Sequence, residues 1–213
     1  MTMNKLFRPG KPEIWILIAM ILLLAGAGLW ASRTGSAIYY LNWGHKSQEE
    51  ISLDLNSNGI DESYKLDGHR LRISEKNREL WTSPPEWQIS SLLIGDANHD
   101  GKEELLLVVW KRGSFGKDKP FWVEENDHKL RCHLFMFKLN GEQIKAIWMS
   151  SALHRPIYSL QLTDLDQDGK KELRTQEGSY SLLSILIHAY DDSPSLWQWH
   201  SWGFRKLETA LPL

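Results

Sequence analysis

Apolar residues along this chain alternate with polar ones or form short runs, and several of these runs end at an acidic segment. Residues 51–53, 92–94 and 160–162 each shortly precede such a segment, and the uninterrupted run 105–110 follows the second one. Short apolar runs that contain β-branched residues predict buried strands. The pattern therefore predicts a repeated unit of strand, acidic loop and strand.

The three acidic segments share one spacing of oxygen-bearing side chains. Each has Asp at position 1, Asp or Asn at positions 3 and 5, Gly at position 6 and Glu at position 9. Calcium takes about six to eight oxygen ligands, and side chains at alternate positions around a sharp Gly turn can converge on one ion. We therefore predict three calcium loops, with side-chain ligands at positions 1, 3, 5 and 9 and a carbonyl ligand at position 7. The predicted ligands are Asp54, Asn56, Asn58, Ile60 and Glu62 in the first loop, Asp96, Asn98, Asp100, Lys102 and Glu104 in the second, and Asp164, Asp166, Asp168, Lys170 and Glu172 in the third.

Two other structures share part of this pattern, the EF-hand and the ordinary polar turn. An EF-hand needs an acid at position 12, but that position holds Lys65, Leu107 and Thr175 in the three loops. Ordinary polar turns are the second alternative, because Asp, Asn and Gly also favour turns without any metal. Three segments in register, each preceded by an apolar stretch, favour calcium.

The strand and loop unit resembles the FG-GAP and VCBS repeats of integrin-type β-propellers, over about residues 50–205. The third loop fits the family pattern closely, the second well and the first loosely, whereas the Phe-Gly and Gly-Ala-Pro signatures are absent. The resemblance implies an all-β fold of about three four-stranded antiparallel blades, with metal ligands at positions 1, 3, 5 and 9 of each loop. Three architectures are compatible with about three blades: a compact partial propeller, which we favour, an open stack of repeats, and a ring completed by another chain.

Two hairpin signals and one insertion complete the repeat domain. Asp67-Gly68 and Asn140-Gly141 lie between apolar alternations, and such dipeptides favour tight turns with positive φ. We predict that they occupy equivalent places in two repeats, as do the core residues Trp81 and Trp148. The wider spacing between the second and third loops predicts an insertion at about 111–129.

The N-terminal region predicts a membrane anchor. Residues 14–31 carry no charge, Lys5, Arg8 and Lys11 precede them, and such a segment is long enough to span a bilayer. We expect a cytoplasmic tail at 1–12, a signal-anchor helix in the lipid bilayer at 13–31, a linker at 32–48 and an extracytoplasmic repeat domain at 49–213. The alternative is a secreted protein cleaved near residues 25–27, where small residues offer a signal-peptidase site.

Other chemistry is not indicated by the sequence. No catalytic motif or cofactor motif is present, the net charge is −2, and we expect neither an enzyme nor a nucleic-acid binder. The single Cys132 is expected to be a small buried apolar residue, and a surface role is expected for His128 and His133.

The predicted function is an extracytoplasmic calcium-binding module that contacts an unidentified protein or the cell envelope. The favoured contact surface is the inserted segment 112–122, which carries Phe115, Phe121 and Trp122. Packing of these aromatic residues back onto the blade is the alternative role for them. The first alternative is carbohydrate binding by exposed Trp197, Trp199 and Trp202. An envelope hydrolase is the second.

Overall fold

The computed structural model describes residues 49–115, 119, 121–125, 127–181 and 194–207, and this part of the chain is all β. Three antiparallel sheets of four strands each confirm the predicted repeats. Sheet 1 contains β1 (Glu49–Leu53), β2 (Glu62–Asp67), β3 (Arg70–Glu75) and β4 (Arg78–Thr82); sheet 2 contains β5 (Gln88–Gly95), β6 (Glu104–Arg112), β7 (Leu130–Asn140) and β8 (Gln143–Met149); sheet 3 contains β9 (Ile157–Thr163), β10 (Glu172–Glu177), β11 (Ser195–His200) and β12 (Gly203–Lys206).

Within each sheet the strands follow the order of the chain, so each strand pairs with its sequence neighbours in the same sheet. The three acidic loops occupy the same place, between the first and second strands of their sheets. The predicted insertion also lies where expected, between β6 and β7, and Gly113 N donates to Lys129 O across its base at 3.0 Å.

Sheet 2 packs against both of the other sheets. One face of β6, with Leu105, Leu107 and Val109, joins a core cluster that includes Tyr64 and Ile73 of sheet 1. All residues of β6 from Glu104 to Trp110 are buried. A strand covered on both faces reads as a continuous apolar run, which explains the pattern of residues 105–110.

The contact between sheets 2 and 3 is partly polar. Tyr180, which follows β10, donates to Leu153 O at 2.8 Å and accepts from Cys132 N at 3.1 Å. Its ring meets Trp110 edge-on, with centroids 5.8 Å apart. Cys132 is fully buried here, as predicted.

One predicted correspondence between repeats is wrong. Gly68 and Gly141 both form tight turns, with φ of 60° and 58°. Gly68 joins the second and third strands of sheet 1, however, whereas Gly141 joins the third and fourth strands of sheet 2. In sheet 1 the third and fourth strands are joined by Lys76 and Asn77, which both have positive φ and leave no need for a Gly.

The tryptophan correspondence is confirmed, because Trp81 and Trp148 both lie in fourth strands. Trp81 pairs with Ile73 and packs on the core between sheets 1 and 2. Trp148 contacts Trp199 and Phe204 of sheet 3, at centroid distances of 6.5 and 5.5 Å.

Candidate metal sites

The three loops are folded by the same set of side-chain to backbone hydrogen bonds. The Asp at position 1 accepts from the amide of the Gly at position 6, at 2.7 Å in the first loop and 3.0 Å in the other two. The side chain at position 3 accepts from the amide at position 5, and the side chain at position 5 accepts from the amide at position 7. These short-range bonds need only the local sequence, which is why all three loops adopt one shape.

Backbone conformation explains the Gly at position 6. Gly59, Gly101 and Gly169 have φ of 84°, 80° and 86°, a region that other residues rarely adopt. A Cβ atom at any of these positions would meet no atom within 4 Å. Gly is therefore favoured at these three positions by their positive φ, and not because a side chain would lack space.

The Glu at position 9 begins the second strand of each sheet and is buried. Glu62, Glu104 and Glu172 are 0, 0 and 1% exposed. In each loop Oε2 of this Glu accepts from the amide at position 2, at 2.8, 3.0 and 3.0 Å respectively. This bond holds the carboxylate in place and leaves Oε1 for another partner.

The third loop has the clearest need for a cation. Oxygens of Asp164, Asp166 and Glu172 lie within 4.8 Å of one another. Asp164 Oδ1 and Glu172 Oε1 are buried and accept no hydrogen bond. A buried polar atom without a partner costs about 1 to 3 kcal/mol, so a bound cation would relieve two such atoms. Asp168 lies outside this group and accepts from the amide of Lys170 at 2.7 Å.

The second loop gathers the same kind of oxygens but already has a cation beside them. Asp96, Asp100 and Glu104 present oxygens within 4.8 Å of one another. Lys138, on β7, forms an ion pair with Asp100, and its Nζ lies 3.2 Å from Glu104 Oε1. The latter contact is an ion pair by distance although Glu104 Oε1 accepts no well-aligned hydrogen bond.

Electrostatics in the second loop reflect this pairing. The hydrogen bond from Lys138 lowers the pKa of Asp100, with smaller contributions from the Lys102 amide and Asn98. Burial raises the pKa of Glu104, because removal from water disfavours its charged form. A positive charge at this place therefore favours the ionised form of both carboxyl groups.

The first loop is satisfied by neutral donors. Asn56 Nδ2 donates to Glu62 Oε1, and Tyr64 OH donates to Glu62 Oε2 at 3.1 Å. Asn58 Nδ2 donates to Glu75 Oε1 on β3 at 2.7 Å. Burial raises the pKa of Glu62. Within the described part of the chain, groups of three acidic ligands occur in the second and third loops but not in the first.

The position 7 residues Ile60, Lys102 and Lys170 lie where predicted, and their amides donate to the side chain at position 5. Their carbonyl ligation stays a prediction. Two residues beside the loops were missed in the sequence, Glu75 and Lys138. Both lie on third strands, and only strand pairing brings them to the loops.

Two of the three tryptophans named in the carbohydrate alternative, Trp197 and Trp199, are less exposed than predicted. Trp197 is half-buried and its Nε1 donates to Thr175 Oγ1 at 3.1 Å and to Glu177 Oε1 at 3.2 Å. Trp199 is half-buried against Trp148. Trp202 is 81% exposed.

The expectation of a surface role is wrong for His133. This residue lies inside β7 and is 0% exposed, because the strand that follows the insertion runs through the centre of sheet 2. Its Nδ1 and Nε2 each lie 3.2 Å from a carbonyl oxygen, of Ser150 and Gly113. Burial and the nearby charge of Lys111 lower its pKa to about 4. His128 is exposed, as predicted.

The predicted tail, anchor and linker at residues 1–48 lie outside the described residues. The residues that the structure describes include no helix long and apolar enough to cross a membrane. Comparison of the sequence with models of protein families and with curated proteins finds no match in either case.

Proposed function

We propose that this chain is a membrane-anchored, extracytoplasmic module of the FG-GAP and VCBS type that binds calcium and acts through contacts with a protein or the cell envelope. The third loop carries the proposal, because it buries two carboxylate oxygens, Asp164 Oδ1 and Glu172 Oε1, that have no hydrogen-bond donor. A divalent cation at that point would be held by Asp164, Asp166 and Glu172.

The donor set favours calcium over other metals. The clustered ligand atoms in the third loop are all carboxylate oxygens, with neither His nor Cys among them. Oxygen-only sites suit hard cations such as calcium and magnesium, whereas zinc and copper prefer nitrogen or sulfur. Magnesium demands near-ideal octahedral geometry and gives up its water reluctantly, so a loop of carboxylates on a flexible turn suits calcium better.

The arrangement of the sheets supports the propeller-like part of the proposal. All three sheets are four-stranded and antiparallel, and each carries its acidic loop between its first and second strands. Blades of β-propellers are four-stranded sheets of this kind. We favour a partial propeller in which three blades pack through large aromatic and aliphatic side chains, such as Trp81 and Trp148.

The apolar segment 14–31 and the proposed calcium sites both support an extracytoplasmic location for the repeat domain. Calcium is plentiful outside cells, where loops with dissociation constants of about 10⁻⁴ to 10⁻³ M can be filled. The basic residues ahead of this segment favour a cytoplasmic N-terminus.

The inserted segment supports the proposed contact role. Phe121 and Trp122 are 93% and 71% exposed, and their rings meet edge-on with centroids 4.8 Å apart. Aromatic residues are enriched at protein interfaces, so this pair is the favoured contact point for a protein partner. A glycan partner would use Trp202, which is 81% exposed.

Calcium binding by the full-length chain, purified in a mild non-ionic detergent, tests the proposal. Equilibrium dialysis should show bound calcium that a similar concentration of magnesium does not displace. Asp164→Asn should remove one ion per chain, whereas Glu79→Gln should not, because Glu79 is an exposed acid outside the loops. If no calcium binds, or if Asp164→Asn binds as much as the unmodified chain, the calcium assignment is wrong.

A further inference from the structure

The three loops differ in the residue that faces them from the third strand of their sheet. Glu62 pairs with Glu75 across β2 and β3. In sheet 2, Leu105 pairs with Phe137, which places Lys138 opposite Glu104. In sheet 3, Leu173 pairs with Trp197, which places Gln198 opposite Glu172. One structural position therefore carries an acid, a cation and a neutral amide in the three sheets.

Antiparallel pairing directs the facing residue toward the loop, because side chains directly opposite each other lie on the same face of a sheet. Glu75 receives a hydrogen bond from Asn58 of the first loop at 2.7 Å. Lys138 reaches Asp100 and Glu104 of the second loop. The facing residue thus belongs to the loop electrostatically although it lies far from it in sequence.

In the second loop the facing residue compensates the charge that a metal would compensate in the third. Asp96, Asp100 and Glu104 supply three carboxylates, and Lys138 supplies one ammonium beside two of them. The third loop has four acids at positions 1, 3, 5 and 9, and the neutral Gln198 faces it. Glu104 is 0% exposed, whereas the Lys138 side chain is 27% exposed.

We propose that Lys138 is a tethered cation that takes the place of calcium in the second loop, so that this loop keeps its shape without metal while the third loop binds the ion. The inference rests on the proposed calcium function of the third loop. With Lys138 in this role, the second loop stabilises sheet 2 at any calcium concentration, and calcium affects the stability of sheet 3.

The chemistry of the two cations explains the exclusion. An ammonium group donates up to three hydrogen bonds to carboxylate oxygens and carries one positive charge. Calcium entering beside it would meet a like charge a few ångströms away, and it would compete for the same oxygens of Asp100 and Glu104. Because Lys138 belongs to the same chain, its effective concentration at the loop is high and no external ion needs to be captured.

The test compares calcium stoichiometry between variants of the full-length chain in detergent, with radioactive calcium and equilibrium dialysis. Lys138→Met removes the ammonium and keeps the apolar stem, and Lys138→Gln keeps a neutral donor in case the first variant folds poorly. Lys145→Met is the matched control, because Lys145 pairs with Lys138 across β7 and β8 but is exposed. Each Lys138 variant should bind one more calcium per chain than the unmodified protein, whereas Lys145→Met should bind the same number.

A second substitution locates the additional ion. Glu104→Gln, introduced into Lys138→Met, should remove the extra calcium and return the number to that of the unmodified chain. Both Lys138 variants should also unfold at lower temperature without calcium, and calcium should restore most of this loss.

The two proposals fail in different ways. If Asp164→Asn removes an ion but neither Lys138 variant gains one, the tethered cation is wrong and the calcium function stands. If the Lys138 variants gain an ion that survives Glu104→Gln, the extra site lies elsewhere and the inference is again wrong. If the unmodified chain binds no calcium while Lys138→Met binds one that Glu104→Gln removes, Lys138 has the proposed role and the third loop does not.

Discussion

The Glu172→Gln substitution distinguishes between two roles for Glu172, that of a metal ligand and that of a hydrogen-bond acceptor that only anchors the loop. Oε2 of Glu172 accepts from Leu165 N at 3.0 Å, and Oε1 is buried with no hydrogen bond. Glutamine keeps an acceptor for the Leu165 amide but removes the negative charge that a cation needs. The substitution should therefore leave the loop folded and remove its calcium response.

The expected magnitude has two parts of opposite sign. Without calcium, the variant should be as stable as the unmodified chain or more stable, by up to about 1 to 3 kcal/mol, because an unpaired buried carboxylate oxygen is lost. With calcium at about 10 to 100 times its dissociation constant, the unmodified chain should gain roughly 1.4 to 2.7 kcal/mol. For a domain of this size, that gain corresponds to about 3 to 10 °C in the unfolding midpoint.

Thermal unfolding of the full-length chain, followed by tryptophan fluorescence, measures both parts. Each protein is scanned in a chelator and then at calcium concentrations up to about 10 mM, which is about ten times the weakest dissociation constant expected of extracellular modules, roughly 10⁻³ M, with magnesium as the ionic control. Glu79→Gln serves as the matched charge control, since Glu79 is exposed on β4. A full calcium shift retained in Glu172→Gln would refute the reasoning, because Glu172 would then only anchor the turn.

Two further predictions concern the framework. His133 is buried with a pKa lowered to about 4 from an ordinary value of 6.5, so its contribution to stability is present above pH 6.5 and is lost as pH falls toward 4. Between pH 7.5 and 4.5, the free energy of unfolding of His133→Gln, measured by denaturant titration, should fall by about 2 to 3 kcal/mol less than that of the unmodified chain. An equal fall in both proteins would contradict this prediction. A Cβ at Gly203 would lie 2.6 Å from Trp148 Nε1, so Gly203→Ala should cost about 1 to 3 kcal/mol of stability. In a double-mutant cycle, Trp148→Phe should relieve part of that cost. If the effects of the two substitutions on the free energy of unfolding simply add, the clash is excluded.

The local sequence determined the shape of the loops and the identity of the strands around them. The hydrogen bonds that fold each loop join residues two to five positions apart, as from Gly169 N to Asp164 Oδ2. Such bonds depend on residue type and spacing, so the repeat of Asp, Asn and Gly located the three loops although it did not predict the bonds themselves. The buried strand β6 could also be predicted from the sequence, because both of its faces are covered and its apolar run is unbroken.

Strand pairing sets which groups surround those loops. Lys138 and Asp100 are 38 positions apart, and their contact depends on the register of β6 with β7 and on the insertion between them. The burial of His133 depends on the same register, and the half-buried state of Trp197 depends on its pairing with β10. A shift of one residue in an antiparallel pair turns every side chain to the other face, and composition and spacing do not specify that register across a long insertion. Loop geometry is therefore a local property of this chain, whereas the charge that faces each loop is a property of its sheets.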